Sequence, residues 1–344
     1  VTDSWAQKEN LTVYDNLGDF FRTGLTSITS VSVNSGNDKL QTYFSYANTT
    51  GRVILNENKL SKHNINLRET AVLFNSRLKL DGNVNVMKQT VKNKPVSGGF
   101  YMNPLVGLYR FPRGEDLAYY KDNYERYDQD RKLNTHTFTE DFEQNPYWIQ
   151  NRIQSKDARI RLLLSLSANL KVTDWLTLQA RGNLDYSADK LRQKFYASTA
   201  TALCGMNGRY IEMDYQETQM YGDVMAMVKK QLNDFTLDVA IGGSINDRIT
   251  NSTRIDSKNA SLKYANVFNL ANIVMSSSAS IDQKIDAHYQ LQSVFATAQI
   301  GYKEGVFLDL TARNDWSSTL AYTKYEKKGF FFLPSVSLSF RISG

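Results

Sequence analysis

Hydrophobic and polar residues alternate one by one along much of this chain. Leu78, Leu80, Gly82, Val84 and Val86 are interleaved with Lys79, Asp81, Asn83 and Asn85. Ile160, Leu162, Leu164, Leu166 and Ala168 share a side opposite Arg161, Ser165, Ser167 and Asn169. The same period recurs in Leu176–Asp185, Val306–Arg313 and Ser335–Ile342. Successive side chains of a strand point to opposite faces, so each segment has one oily face and one wet face. The pattern predicts eleven strands, near 25–34, 39–48, 62–71, 76–87, 157–171, 176–188, 218–231, 236–247, 288–301, 306–315 and 329–342.

Length and connection sharpen this. Soluble strands average about 5–6 residues, whereas a tilted strand needs about 9–11 to cross a bilayer. Short links at Ser35–Asp38, Val72–Asn75, Val172–Trp175, Leu232–Phe235 and Tyr302–Gly305 alternate with long ones at 49–61, 88–156, 189–217, 248–287 and 316–328. Tight turns on one rim and long loops on the other are the layout of outer-membrane barrels. The expected fold is therefore all-β, a transmembrane antiparallel up-and-down β-barrel. Lys79, Arg161, Arg181, Asp185, Asp309 and Arg313 fall on the polar side and are candidates to line a wet lumen. A Lys or Arg facing lipid at mid-bilayer costs about 2–4 kcal/mol, which forces the basic ones inward. Aromatic residues gather near strand ends, at Tyr43, Phe44, Tyr46, Trp175, Tyr302 and Phe330–Phe332, as interfacial girdles do.

Composition fits that frame better than it fits a soluble protein. The chain has 344 residues and a net charge of +6, and hydrophobic residues make up 41% of it. Its mean hydropathy is −0.45. A wet lumen and long external loops, averaged with a thin lipid-facing stripe, produce such values without a large apolar core. No stretch approaches 18 apolar residues, so no transmembrane helix is predicted. A single cysteine, Cys204, excludes an internal disulfide and a cysteine-based zinc site. The small charge excess, without a basic patch, gives no reason to expect nucleic acid.

Several segments resemble the SusC/RagA family of TonB-dependent transporters. They are NLGDFFRTG at 16–24, YFSYANTTG at 43–51, NPYW at 145–148 with VTDWLTL at 172–178, and RNDWSSTL at 313–320 with FLPSVSLSFRIS at 332–343. They occur in the family's order and span essentially the whole chain. The resemblance implies a 22-stranded barrel in the outer membrane of Bacteroidetes-type bacteria. It also implies active import of oligosaccharides or peptides, a TonB complex as energy source, and a SusD-like surface lipoprotein as lid. Eleven strands are half of 22, and no segment resembles a plug or a TonB-contact motif. Residues 1–344 are accordingly expected to be the first half of the barrel domain, with plug, TonB-contact motif and second half outside this chain. A binding or adhesion barrel without active import is the alternative.

The chemistry to be placed is modest. Residues 115–143 hold nine acids against four basic residues, a net of −5, which leaves +11 on the rest of the chain. Tyr119, Tyr120, Tyr124, Tyr147 and Trp148 stand in or beside that loop, and aromatic faces near carboxylates suit sugar binding. They are the candidate substrate-binding residues. A solvated loop packing on its neighbours or on the lid is the plainer use of the same segment. Asp128 and Asp130 lack the glycine and terminal glutamate of a calcium loop. The basic residues of the polar side are expected to neutralise acidic groups of a plug or to draw in an anionic substrate. His63, His136 and His288 stand apart, and no phosphate loop or nucleophile elbow appears. No enzyme, cofactor or metal is expected.

Overall fold

The computed structural model describes residues 12–96, 98, 101–136, 144–258, 260, 262–275, 279–303, 305–320 and 330–341. After a short helix, α1 (Asn16–Phe20), four strands follow: β1 (Leu25–Gly36), β2 (Leu40–Arg52), β3 (Lys59–Leu73) and β4 (Leu78–Lys92). Then come α2 (Pro104–Arg110), α3 (Leu117–Asp122), a hairpin of β5 (Glu125–Asp128) and β6 (Leu133–His136), and α4 (Pro146–Arg152). Seven more strands complete the chain: β7 (Ile153–Lys171), β8 (Leu176–Phe195), β9 (Arg209–Leu232), β10 (Phe235–Asp256), β11 (Ser280–Tyr302), β12 (Val306–Ser317) and β13 (Phe330–Phe340). Among the described residues, eleven strands form one sheet in the order β1-β2-β3-β4-β7-β8-β9-β10-β11-β12-β13, with every neighbour antiparallel. All eleven expected strands are present, in up-and-down order. The sheet is open, with β1 and β13 each paired on one side only among the described residues.

Register carries the alternation across the whole sheet. One cross-strand row reads Leu73, Leu78, Leu170, Leu178, Ala226, Ile241, Ala296, Ala312 and Pro334. A row on the other face reads Asp81, Ser167, Arg181, Asp223, Ser244, Ser293 and Asp315. One face is therefore aliphatic, and the other is hydrophilic as far as β12, with Phe331 and Leu333 following on β13. Glu69 breaks the rule on the apolar face, near the short-turn end of β3, where its carboxylate accepts a 2.8 Å hydrogen bond from Thr42 Oγ1. The girdle splits between the faces: Phe44 and Tyr46 follow Val31 and Val33 on the apolar side, whereas Tyr43 pairs with Arg68 on the polar side.

Short turns all lie at one end. Asn37 Oδ1 accepts from the amides of Lys39 and Leu40 (2.8 and 3.0 Å), and Asn233 takes the left-handed conformation (φ 53°) that a two-residue hairpin requires. At the other end the strands run well past their expected limits. β9 has 24 residues, about 80 Å at 3.3 Å per residue, far more than a bilayer needs. The excess includes stretches such as Asp214–Gln219, polar on both faces, where the apolar period fades although backbone pairing continues. Residues expected in long loops are consequently strand, and the β8–β9 connection shrinks to 196–208.

Candidate functional site

The connection between β4 and β7 folds into a cap with its own core. Side-chain oxygens start its helices. Asn103 accepts from Leu105 N, Asp116 from Ala118 N, and Asn145 from Tyr147 N, and a proline follows directly after Asn103 and Asn145. Phe20, Leu108, Leu117 and Tyr147 are buried together, with the Phe20 and Tyr147 rings 5.2 Å apart. Asn16 ties α1 to this core, accepting from Leu117 N and donating to Glu115 O, both at 2.9 Å. A second cluster joins Phe195, Cys204 and Ile211 with Met102, Ile153 and Leu203. Phe195, Ile211 and Ile153 occupy polar-face positions at the outer ends of their strands. The cap is thus anchored to the hydrophilic face of the wall, at the end opposite the short turns.

Two connections are knitted together there. Trp148 Nε1 donates to Thr199 Oγ1 at 3.1 Å, and Gln144 donates to Tyr101 O and accepts from Ala200 N at 2.6 and 2.8 Å. Arg152 forms a two-point ion pair with Glu125 and lies 4.8 Å from the centre of the Tyr196 ring. The expected binding residues therefore separate. Tyr147 and Trp148, 3% and 1% exposed, are core residues of the cap and offer no face to a ligand. Burial, with Asp19, Asp116 and Asp122 nearby, pushes the Tyr147 hydroxyl up to about 12. Tyr119 is 63% exposed, while Tyr120 and Tyr124 are half-buried. Tyr119 and Tyr120 meet edge-on at 5.2 Å and form an aromatic pair at the surface.

Three of the six described acids of this segment have structural roles. Glu125 is taken by Arg152, Asp116 caps α3, and Asp128 accepts from the amides of Asp130 and Arg131 in the hairpin turn, both at 3.0 Å. Glu140, Asp141, Glu143, Phe138 and Phe142 lie outside the described residues. Among the described residues no group of His, Cys, Asp or Glu is arranged to hold a metal ion.

All six charged residues expected in the lumen share the polar face, and each has a partner there. Arg161 binds Asp185, Arg181 binds the fully buried carboxylate of Asp223 at 2.9 Å, and Arg313 binds Asp315 and Ser293. Lys79 lies 3.4 Å from Asp81, and Asp309 accepts from Gln299 at 2.7 Å. Each of the four basic groups thus has an acidic partner within the wall itself.

Cys204 belongs to the second cluster. Its Sγ donates to Thr199 O at 3.5 Å, and burial pushes the thiol up to about 11. At pH 8 alkylation by iodoacetamide is expected to be on the order of 100-fold slower than in the unfolded chain, because the thiolate is the nucleophile. Labelling at the free-thiol rate, read by mass spectrometry, would mean that the cap is open in solution. A raised thiol value means that this group's stabilisation of the cap is complete below the free-thiol range near 8.5. It is lost as pH rises toward about 11.

Below the cap, between residues 93–96, 102 and 104, α4 and the outer ends of β7 and β8, lies a partly open cavity of about 450 Å³. Gln150, 6% exposed, lines it, and neither its Nε2 nor its Oε1 has a hydrogen-bond partner. An unsatisfied buried polar group costs about 1–3 kcal/mol, so this position stands out. Sequence reading missed it, because a glutamine in a seven-residue helix gives no periodic signal.

An eleven-stranded antiparallel wall, apolar on one face, hydrophilic on the other and capped at its long-loop end, has a counterpart among known families. The model of the TonB-dependent receptor-like β-barrel matches residues 103–343. The chain belongs to this family. Barrels of the family lie in the outer membrane and are receptors rather than enzymes. No curated protein matches the chain. Among solved structures, that of the RagAB peptide transporter superposes with a TM-score of 0.72 at 16% identity, over 96% of this chain and 35% of that one. The RagAB importer in its 'open-open' state superposes with a TM-score of 0.72 at 18% identity, over 95% and 35%. The ferric citrate transporter FecA in its unliganded form gives 0.55 at 10% identity, over 93% and 40%. These likenesses are of fold. The chain spans about a third of the length of the RagAB chains.

Proposed function

We propose that this chain is the first half of the barrel domain of a SusC-like TonB-dependent importer in a Bacteroidetes-type outer membrane. In this reading the plug, the TonB-contact segment and the remaining strands belong to other parts of the full-length protein. The observation that carries it is the capped, two-faced wall. Its apolar face suits lipid, its charged face suits water, and its folded cap sits at the long-loop end on the hydrophilic side. The open edges of β1 and β13 support a larger barrel, since unpaired strand edges are not tolerated in lipid. The cargo is an oligopeptide or an oligosaccharide. The likeness in fold to the RagAB peptide transporter favours the peptide. A surface lipoprotein of the SusD type is the partner proposed for the external mouth, near the exposed Tyr119 and Tyr127.

Cells expressing the full-length protein test this. They are expected to accumulate labelled oligopeptides, or labelled oligosaccharides, and to stop when a protonophore collapses the energy supply. In-frame deletion of residues 119–127 is expected to reduce uptake. Surface binding that persists without energy-dependent accumulation would favour an adhesion barrel instead.

A further inference from the structure

Five basic residues from five different strands stand side by side toward the long-loop end of the wall. Register aligns Arg52 with Lys59, Lys59 with Lys92, Lys92 with Lys156, and Lys156 with Arg192. All five are exposed and continue the apolar face, at positions where its aliphatic period has already ended. Neighbouring strands lie about 4.8 Å apart, so the row spans about 19 Å. Like charges placed directly opposite one another destabilise a sheet. Arg192 is relieved by Glu212 at 2.9 Å. Among the described residues no ion pair includes Arg52, Lys59, Lys92 or Lys156. No run of basic residues marks this row in the sequence, because it exists only once the strands are in register.

The height of the row selects a partner. Its members lie 12 to 16 residues beyond the short-turn ends of their strands, past the 9–11 or so that cross a bilayer. Closer to those turns on the same face runs the last row that is aromatic or aliphatic in β2, β3, β4 and β7: Tyr46, Ile65, Val86 and Leu162. There the Tyr46 hydroxyl meets His63 Nδ1 at 2.9 Å. Between the two rows lie about 20 Å of strand, or about 15 Å of height at the usual tilt. A phospholipid headgroup reaches only about 5–8 Å beyond the hydrocarbon. A glycolipid, with phosphates carried on a sugar headgroup, reaches farther while its acyl chains rest on the apolar rows below. An open groove of about 410 Å³ lies along the basic row, lined by Arg52, Lys59 and Lys92 and by the hydroxyl residues Thr50, Ser61 and Thr90. Guanidinium and ammonium groups suit phosphate, and hydroxyls suit sugar. We propose that this groove holds the phosphorylated sugar headgroup of a glycolipid of the surrounding membrane. The proposal goes beyond import and does not depend on it, requiring only that the apolar face meets lipid.

The test uses the full-length protein purified in detergent, with lipid binding read by native mass spectrometry. The probes are diphosphorylated lipid A, the same lipid after phosphatase treatment, phosphatidylglycerol and inorganic phosphate. Wild type is expected to bind diphosphorylated lipid A about tenfold or more tightly than either other lipid, and inorganic phosphate at equal concentration is expected not to displace it. Each basic charge near an anionic surface is worth about fivefold, so combining Arg52→Gln, Lys59→Gln and Lys92→Gln is expected to cost about 100-fold. Combining Lys39→Gln, Arg77→Gln and Lys303→Gln removes the same charge at the short turns and is expected to keep wild-type affinity. Should the groove variant fail to fold, Lys59→Gln alone, in the middle of the groove, is expected to cost about fivefold. Wild-type affinity in the groove variants, equal losses in the two triple variants, or equal binding of phosphorylated and dephosphorylated lipid would overturn the proposal. Binding of phosphatidylglycerol as tight as that of lipid A, or displacement by inorganic phosphate, would overturn it as well.

Discussion

Leu166→Arg is expected to remove about 2–4 kcal/mol from the folded, membrane-inserted state, while Ser165→Arg changes it by less than about 0.5 kcal/mol. The two positions are adjacent in β7 and differ in the face they occupy. Leu166 is 62% exposed on the apolar face, flanked across the ladder by Gly82 and Gly182. It lies about halfway along a bilayer crossing counted from the turn at Val172–Trp175, where an arginine has the shortest supply of water and headgroups. Ser165 lies between Asn83 and Asn183 on the polar face, where a guanidinium has polar neighbours. Refolding of the full-length protein into lipid vesicles across a urea series reads both numbers. A larger loss at Ser165 than at Leu166 would show that the faces have been assigned the wrong way round, and equal losses that the wall does not sit in lipid.

Trp148→Ala is the second large effect. The indole is 1% exposed and its Nε1 is held by Thr199, so truncation leaves a void and an orphaned hydroxyl together. Loss of a buried tryptophan costs about 3–5 kcal/mol. The loss falls on the cap, because the eleven-stranded wall has its own ladder of backbone hydrogen bonds. Limited proteolysis is expected to cut within residues 93–152 and 196–208 while the wall stays resistant. Tyr119→Ala, at a 63% exposed position, is expected to change protease resistance little. If Trp148→Ala leaves the cap as resistant as before, the indole is not what joins the two connections.

Much of the wall was legible because the physics of a strand between lipid and water imposes a period of two. Where water lies on both sides, that constraint vanishes, and the outer half of β9 became invisible although its backbone pairing did not change. Ion pairs divide along similar lines. Arg159 and Asp189 stand at mirrored positions about the short turn after β7, so their contact follows from the turn alone. Arg181 and Asp223 are joined across the long 196–208 connection, whose length sets no mirror point, and their contact needed the folded register. The cap was harder still. Helices of six or seven residues make less than two turns, too few to display a 3.6-residue repeat. Tyr147 and Trp148, read as candidate substrate-binding groups, are instead buried in the cap together with Leu108, Leu117 and Ile149.

The joint between the two connections has a consequence for how such a mouth can diversify. Because Trp148 leans on Thr199 and Gln144 on Ala200, residues 93–152 and 196–208 behave as one exchangeable cassette. A recombination event that swaps one without the other strands a buried indole N–H and a buried carbonyl oxygen at the seam. New specificities in this architecture are therefore easiest to reach by inheriting both connections together, while the wall beneath serves as a fixed socket.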